Sequence, residues 1–244
     1  MTAAPGSAAA GLPADTTRPA LVRAETVTRC FGSGPATIVA VRSVTATVGA
    51  GARIALTGPS GSGKSTVLHL LAGLDTPTSG VVTWPHGRSS AGPAPDEVGL
   101  VFQGPSLIPA LDVVENVRLP LLFIGRAEPE ATECAVRALA RLALIDLAAA
   151  LPDELSGGQA QRVAIARVLA CAPRLILADE PTGQLDHQTA GAVVDVLLTA
   201  ADELGAALVV STHDPVIARR LAVEWVMSDG RLSMPDRHDA GARQ

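Results

Sequence analysis

Tyrosine is absent from this chain of 244 residues, and three Phe and two Trp bring aromatics to only 2%. A core must therefore be assembled from Ala, Val, Leu and Ile. Cysteine is also scarce. Cys30, Cys134 and Cys171 lie far apart with no C-x-x-C pair, which argues against a disulfide frame or a zinc site and fits reduced thiols in a cytoplasm. A long apolar run is missing too, although the mean hydropathy of +0.32 is high. Residues 135–151 carry Arg137, Arg141 and Asp146, and residues 192–210 carry Asp195, Asp202 and Glu203. No run reaches the ~18 to 20 apolar residues of a spanning helix. Residues 1–20, rich in Ala, Pro and Thr, have neither a charged start nor an apolar stretch, so they read as a disordered arm and not as a secretory signal; 235–244 is expected to be a flexible tail. With a net charge of −5, a pI near 5.5 and no basic stripe, no nucleic-acid partner is expected. Lysine is the scarcest charge: of 19 Lys plus Arg, 18 are Arg, leaving Lys64 alone.

The length suits one large α/β domain, or a core with a smaller lobe. Residues 20–27, 36–48 and 53–56 read as β segments, 64–74 as a helix, and 81–84 and 98–102 as strands separated by loop chemistry over 85–95. From 111 to 150 the pattern is helical, densest in good helix formers over 128–143, and forms a lobe spanning about 104–158. Residues 155–170 and 189–204 read as helices, and 175–178 and 207–212 as buried strands. Buried strands alternating with helices predict an α/β fold with a mainly parallel sheet covered on both faces.

The one lysine sits in GPSGSGKST, residues 58–66. Gly58-x-x-x-x-Gly63-Lys64-Ser65 fits the P-loop pattern, with a strand running in and a helix running out. Gly58, Gly61 and Gly63 let the backbone curl so that N–H groups converge on one anion, across a loop that also holds Ser60, Ser62 and Thr66. The helix start adds the positive end of its dipole. Lys64 places a compact charge against the β- and γ-phosphates, and Ser65 offers a hydroxyl to Mg²⁺. A guanidinium is a wider, planar fork, so a loop filled by phosphate has room for lysine and not for arginine. The plain alternative, a Gly/Ser surface loop with an ordinary lysine, is weak in a chain with no other lysine.

LILADEP, residues 175–181, is a buried strand ending in two acids. Asp179 falls at the carboxyl end, where ligands bind in α/β sheets, and can hold Mg²⁺. Glu180 follows, where a base can polarise an attacking water. An acidic turn after a strand is the bland reading. LSGGQ, residues 155–159, opens a helix in which Ser156, Gly157, Gly158 and Gln159 leave N–H groups for an anion, or in which Ser156 is simply an N-cap.

Taken in order, these segments make the chain resemble, over residues 21–234, the nucleotide-binding subunit of an ATP-binding cassette (ABC) transporter, with a P-loop NTPase core, an antiparallel β subdomain and a helical lobe. GPSGSGKST resembles the Walker A loop, LILADE the Walker B strand, LSGGQ the signature, VFQ (101–103) the Q-loop, GQLD (183–186) the D-loop and STHDP (211–215) the switch-histidine segment. The resemblance implies an ATP hydrolase using ATP and Mg²⁺, with Ser65, Gln103 and Asp179 around the metal, and with three catalytic residues: Gln103 also beside the attacking water, Glu180 as base, and His213 at the γ-phosphate and linking it to the base. It places Asp186 at a subunit boundary and Ser156 to Gln159 against a second subunit's ATP, in a head-to-tail pair, most simply a homodimer. Phe31, in RCFGSG, is expected to stack on adenine; a ring tucked over the β subdomain is the alternative. LAGLDTPTSG, VFQGPSLIPALDVVENVRLPLL, ADEPTGQLD and STHD resemble the lipoprotein-release and macrolide-export group, which pairs with FtsX-type permeases. That implies a cytoplasmic subunit held on the inner face of the membrane by an integral permease, with Leu107, Ile108 and Leu111 in the docking surface or packed within the lobe. A soluble ABC-type ATPase of DNA repair or translation is the alternative function.

Overall fold

Strands β6 (Leu175–Asp179) and β7 (Ala207–Ser211) are buried at every position, which is the signature of central strands covered on both faces. The computed structural model describes residues 18–87, 92–183, 185 and 187–234. It places β6 and β7 in a six-stranded sheet of order β5-β6-β7-β3-β8-β9, with β3 Arg53–Thr57, β5 Val98–Val101, β8 Val223–Ser228 and β9 Arg231–Ser233. Every pairing from β5 through β8 is parallel, and only β9 runs antiparallel. A separate antiparallel sheet, β2-β1-β4, comprises β1 Ala20–Phe31, β2 Ile38–Gly49 and β4 Ser79–Thr83.

Alternation along the parallel strands divides the core in two. Leu175, Leu177, Ala207, Val209, Ile54 and Leu56 pack with Val67, Leu68, Leu70 and Leu71 of helix α1 (Lys64–Leu71) and with β1 and β2. Ile176, Ala178, Leu208, Val210 and Ala55 pack instead with Val163 and Ile165 of α4 (Gly157–Ala170) and Val193 and Leu197 of α5 (His187–Leu204). Because successive strand residues point to opposite faces, α1 and α4 lie on opposite sides of the sheet. The helical lobe, α2 (Val113–Phe123) and α3 (Glu128–Arg141), packs on α4.

Buried Asn116 ties the start of this lobe together. Its Oδ1 accepts from the Ile108 N–H at 2.7 Å, and its Nδ2 donates to the carbonyls of Ile108, Leu111 and Asp112 at 3.1, 2.9 and 3.0 Å. The adjacent Asp112–Glu115 capping box starts α2.

Several boundaries differ from expectation by a few residues, and one hairpin is added. Helix α1 ends at Leu71 and not at 74, because Gly73 turns left-handed (φ +71°) and the Leu74 N–H donates back to the His69 carbonyl at 3.0 Å, a Schellman stop. Strand β1 runs on to Phe31 through several register irregularities against β2. The β8–β9 hairpin was unanticipated; its Asp229-Gly230 corner has positive φ at both residues, the two-residue turn that Asp-Gly favours. Of the arm and tail, residues 1–17 and 235–244 lie outside the described residues, as do Asp186 and Gln184.

Candidate nucleotide site

Strands β3, β5, β6 and β7 are adjacent and parallel, so the segments following them gather along one edge of the sheet. Those segments are the glycine loop, VFQ, DEP and THDP. The topology therefore assembles on one edge what the chain scatters over 150-odd positions.

The glycine loop is locked where a side chain cannot go. A Cβ on Gly58 (φ +137°) would meet the Met227 carbonyl oxygen at 2.2 Å, and one on Gly63 (φ +102°) the Ala40 oxygen at 2.3 Å. The loop is thus wedged between β8 and β2. Gly63 begins α1 in the left-handed region without any side-chain cap, in contrast to the capped starts of α2 and α4. The first-turn N–H groups of a helix have no intrahelical acceptors, so this uncapped start is suited to an anion. Ser60, Gly61 and Ser65 are exposed and Thr66 is half-buried, while the Ser62 hydroxyl is buried inside the loop.

Lys64 is 6% exposed. Its Nζ donates to the carbonyls of Gly58 at 2.9 Å and Pro59 at 3.1 Å and lies 3.3 Å from Glu180 Oε1. The other Glu180 oxygen is 3.5 Å from His213 Nδ1. Asp179 is almost fully buried at the end of β6. A Cβ on Gly183 would lie 3.5 Å from Glu180 Oε2 and 3.7 Å from Gln103 Nε2, which places Gln103 at the same site. Glu180, Thr182, Gly183, Thr212 and His213 line a cleft there. Lys64, Gln103, Glu180 and His213 thus lie together.

Phe31 ends β1. It pairs across β1–β2 with Ile38, two residues before Ala40, whose carbonyl touches the glycine loop. The ring is 43% exposed and carries the Arg29 guanidinium 4.6 Å from its centroid, with Arg29 Nε donating to Asp75 Oδ2 at 2.8 Å. The ring is thus partly open to solvent and partly covered by Arg29 of the same strand.

Ser156 to Gln159 lie elsewhere, at the start of α4 on the opposite sheet face from α1. Ser156 is a true N-cap: its Oγ accepts from the Gln159 N–H at 3.3 Å, and Gln159 Oε1 accepts from the Ser156 N–H at 2.8 Å. A Cβ on Gly157 would meet nothing within 4 Å, whereas one on Gly158 would come within 3.2 Å of Thr189 Cγ2.

Several residues that position these groups were not singled out from sequence. From α4, Gln161 Nε2 donates to the Phe102 carbonyl at 3.2 Å, and Arg167 donates to the Ser106 and Pro105 carbonyls at 2.9 and 3.2 Å. Burial lowers the pKa of the Arg167 guanidinium from its ordinary value, yet its range keeps it charged. The α4 helix thus grips the segment after β5 on both sides of Gln103. No periodicity marks such side chains; only their polarity on a helix facing the core does. All three cysteines are free. Burial first, and then proximity to Asp96, push the Cys171 thiol up to about 12, so it stays protonated.

No helix among the described residues is long and apolar enough to cross a membrane. Residues 41–183 match the family model described as ABC transporter. The lipoprotein-releasing system ATP-binding protein LolD of Legionella pneumophila (strain Paris) is 41% identical over 211 residues, covering 84% of this chain and 93% of that protein. LolD of Shewanella oneidensis is 39% identical over 223 residues, covering 88% and 97%. Among solved structures, the dimeric post-hydrolysis state of the ATP-binding cassette MJ0796 bound to ADP and Pi has a TM-score of 0.80 at 36% identity, covering 88% of this chain and 98% of that one. A second dimeric structure of MJ0796, a bacterial ABC transporter cassette, has a TM-score of 0.79 at 37% identity, covering 87% and 96%. The fold, the order of the segments and these similarities agree: the chain belongs to the ABC transporter family, as an ATP-hydrolysing subunit of the LolD type.

Proposed function

We propose that this subunit drives a separate integral membrane permease, of the FtsX type, by closing on a second copy of itself around ATP, and that it sits on the cytoplasmic face of the membrane through that permease. The observation that carries the pairing is the placement of α1 and α4 on opposite faces of one sheet. A P-loop and a signature that face apart in one chain can share an ATP across two chains packed head to tail. Both MJ0796 structures are dimeric, which supports that reading.

In each site, Gly58, Ser60, Gly61, Ser62, Gly63 and Thr66 form the loop around the phosphates, and Lys64 faces the β- and γ-phosphates. Ser65, Gln103 and Asp179 are hard oxygen donors that fit Mg²⁺. Mg²⁺ is usually bound through one or two protein groups together with the substrate phosphates. Held by these residues, Mg²⁺ would supply neutralising charge to the phosphates. Glu180 takes the proton of a water whose oxygen attacks the γ-phosphorus, while the bond to the β–γ bridging oxygen breaks and ADP leaves. His213, 3.5 Å from Glu180, holds that carboxylate toward the γ-phosphate. Ser156, Gly157, Gly158 and Gln159 present the α4 N-terminus to the partner's ATP, and Asp186 belongs to the same boundary. Loss of the γ-phosphate removes contacts made only in the closed pair and shifts the population toward the open one.

Phe31 provides the face on which adenine stacks. Such stacking is worth roughly 1–3 kcal/mol, so Phe31→Leu should weaken ATP binding about 5- to 150-fold with little change in kcat and no change in tripolyphosphate binding. Equal ATP affinities in calorimetry would contradict the role.

The link to the permease runs through the segment after Gln103. Leu107 packs against the core and Leu111 is half-buried, whereas Ile108 is 39% exposed and its backbone is held by Asn116. The docking expectation therefore narrows to Ile108. In proteoliposomes with the permease, Ile108→Glu should cut permease-stimulated turnover by about tenfold or more, as a hot-spot contact would, and leave the isolated subunit's ATPase unchanged. Full stimulation in the variant would refute the docking site.

A further inference from the structure

Strand β7 reads Ala-Leu-Val-Val-Ser, and its last residue breaks an aliphatic run at a fully buried position. A hydroxyl taken out of water costs free energy unless its bonding capacity is used, and here it is. Ser211 lies opposite Asp179 in the β6–β7 register. Its O–H donates to Asp179 Oδ1 at 2.7 Å, and its Oγ accepts the Glu180 N–H at 2.8 Å. Glu180 itself has φ +41°. A left-handed backbone at a non-glycine residue persists only where its surroundings hold it there, and the bond from Ser211 is such a constraint.

We propose that Ser211 is a positioning residue of the hydrolytic site: one hydroxyl orients the Asp179 carboxylate and fixes the backbone turn that aims Glu180 at Lys64 and His213. The inference rests on the reading of Asp179 and Glu180 as the metal-holding and proton-accepting pair. His213 follows two residues after the strand, so β7 and the turn beyond it supply both the anchor of the Glu180 backbone and a contact to its carboxylate. Without the hydroxyl, Asp179 loses its neighbouring-strand donor and the Glu180 N–H loses its acceptor. The carboxylate then departs from the attacking water, where misplacement by about 1 Å costs on the order of 10²-fold.

The test uses the purified full chain carrying Ser211→Val, Ser211→Ala, Ser211→Thr or Glu180→Gln, and Ser211→Val combined with Glu180→Gln. Turnover, KM for ATP, ATP affinity without Mg²⁺ and the unfolding midpoint are measured. Valine suits the buried strand and alanine cannot overfill it, so at least one hydroxyl-free variant is available in folded form. The expected result is a fall in kcat of about tenfold or more in Val and Ala, with KM and metal-free ATP affinity within about twofold of the parent and recovery to within about threefold in Thr. In the Glu180→Gln background, Ser211→Val should add a smaller loss than in the parent, because the part of its effect that runs through Glu180 is already gone and only the part through Asp179 is left. If Glu180→Gln keeps parental turnover, the reading of the acid pair falls, and the role of Ser211 with it. If Glu180→Gln is inactive but a folded hydroxyl-free variant keeps parental kcat, only the role of Ser211 is overturned. Metal-free ATP affinity that falls as far as kcat, or an inactive Thr variant with a native midpoint, would also overturn it.

Discussion

Lys64→Arg is expected to lose most ATP binding and turnover although the charge is kept. Lys64 is 6% exposed, and its ammonium is already enclosed by the Gly58 and Pro59 carbonyls and the Glu180 carboxylate, all within 3.3 Å. The loop cannot widen to admit more. Gly58 abuts the Met227 carbonyl and Gly63 that of Ala40, and both contacts are to backbone. A guanidinium is planar, wider and bound by directional donors, so it must leave the loop or push the phosphates away. Losing one preorganised contact to developing charge costs about 10² to 10³ in kcat, and the loss of binding adds to it. ATP calorimetry and phosphate release on the folded variant check this; near-parental values would show that a point charge is all the position needs and that the steric account is wrong.

Glu180→Gln should leave the site's shape intact and remove its proton acceptor. Turnover should fall by about 10²- to 10⁴-fold, the contribution of a positioned general base, while ATP still binds. Uncleaved ATP should then hold two copies together, so that with ATP and Mg²⁺ the variant shifts from monomer to dimer in size-exclusion chromatography. Adding Ser156→Arg should abolish the shift. It places a bulky cation at the start of α4 and leaves the variant's own P-loop untouched, so ATP binding to the monomer should persist. A dimer that forms equally well with Ser156→Arg would leave Ser156 with the N-cap role that its bonds to Gln159 already give it.

Much of this site was legible because its chemistry is local in sequence. Seven residues from Gly58 to Lys64 carry a whole phosphate cradle, and the buried run Leu175 to Asp179 announces both a central strand and an acid at its end. Central strands were found for the same reason: a short all-apolar run bounded by turns has few other readings. The β8–β9 hairpin was missed although Asp229-Gly230 is a strong local turn signal, since Val223 to Ser228 alternates weakly, with Glu224 beside Val223 among its exposed residues. Ser211, Gln161, Arg167 and Asn116 were beyond sequence reasoning for another reason. Ser211, Gln161 and Arg167 act on partners that only the tertiary fold delivers, on a neighbouring strand or a distant loop, and Asn116 on a turn whose shape the local residues do not announce. Polar residues at core positions are the one hint, and that hint gives no partner. For LSGGQ, cap and ligand site have the same local chemistry, so neither the sequence nor the single subunit's geometry separates them.

Mixing two crippled chains separates them. One carries Lys64→Arg with Glu180→Gln and lacks a working P-loop; the other carries Ser156→Arg with Glu180→Gln and lacks a working signature. Each alone with ATP and Mg²⁺ should remain monomeric. Mixed in equal amounts, they should form a heterodimer that retains one ATP per two chains, held between the intact P-loop of the second and the intact α4 start of the first. Two chains that stay monomeric when mixed, or that dimerise equally well apart, would contradict the claim that ATP is shared between one copy's P-loop and another's signature.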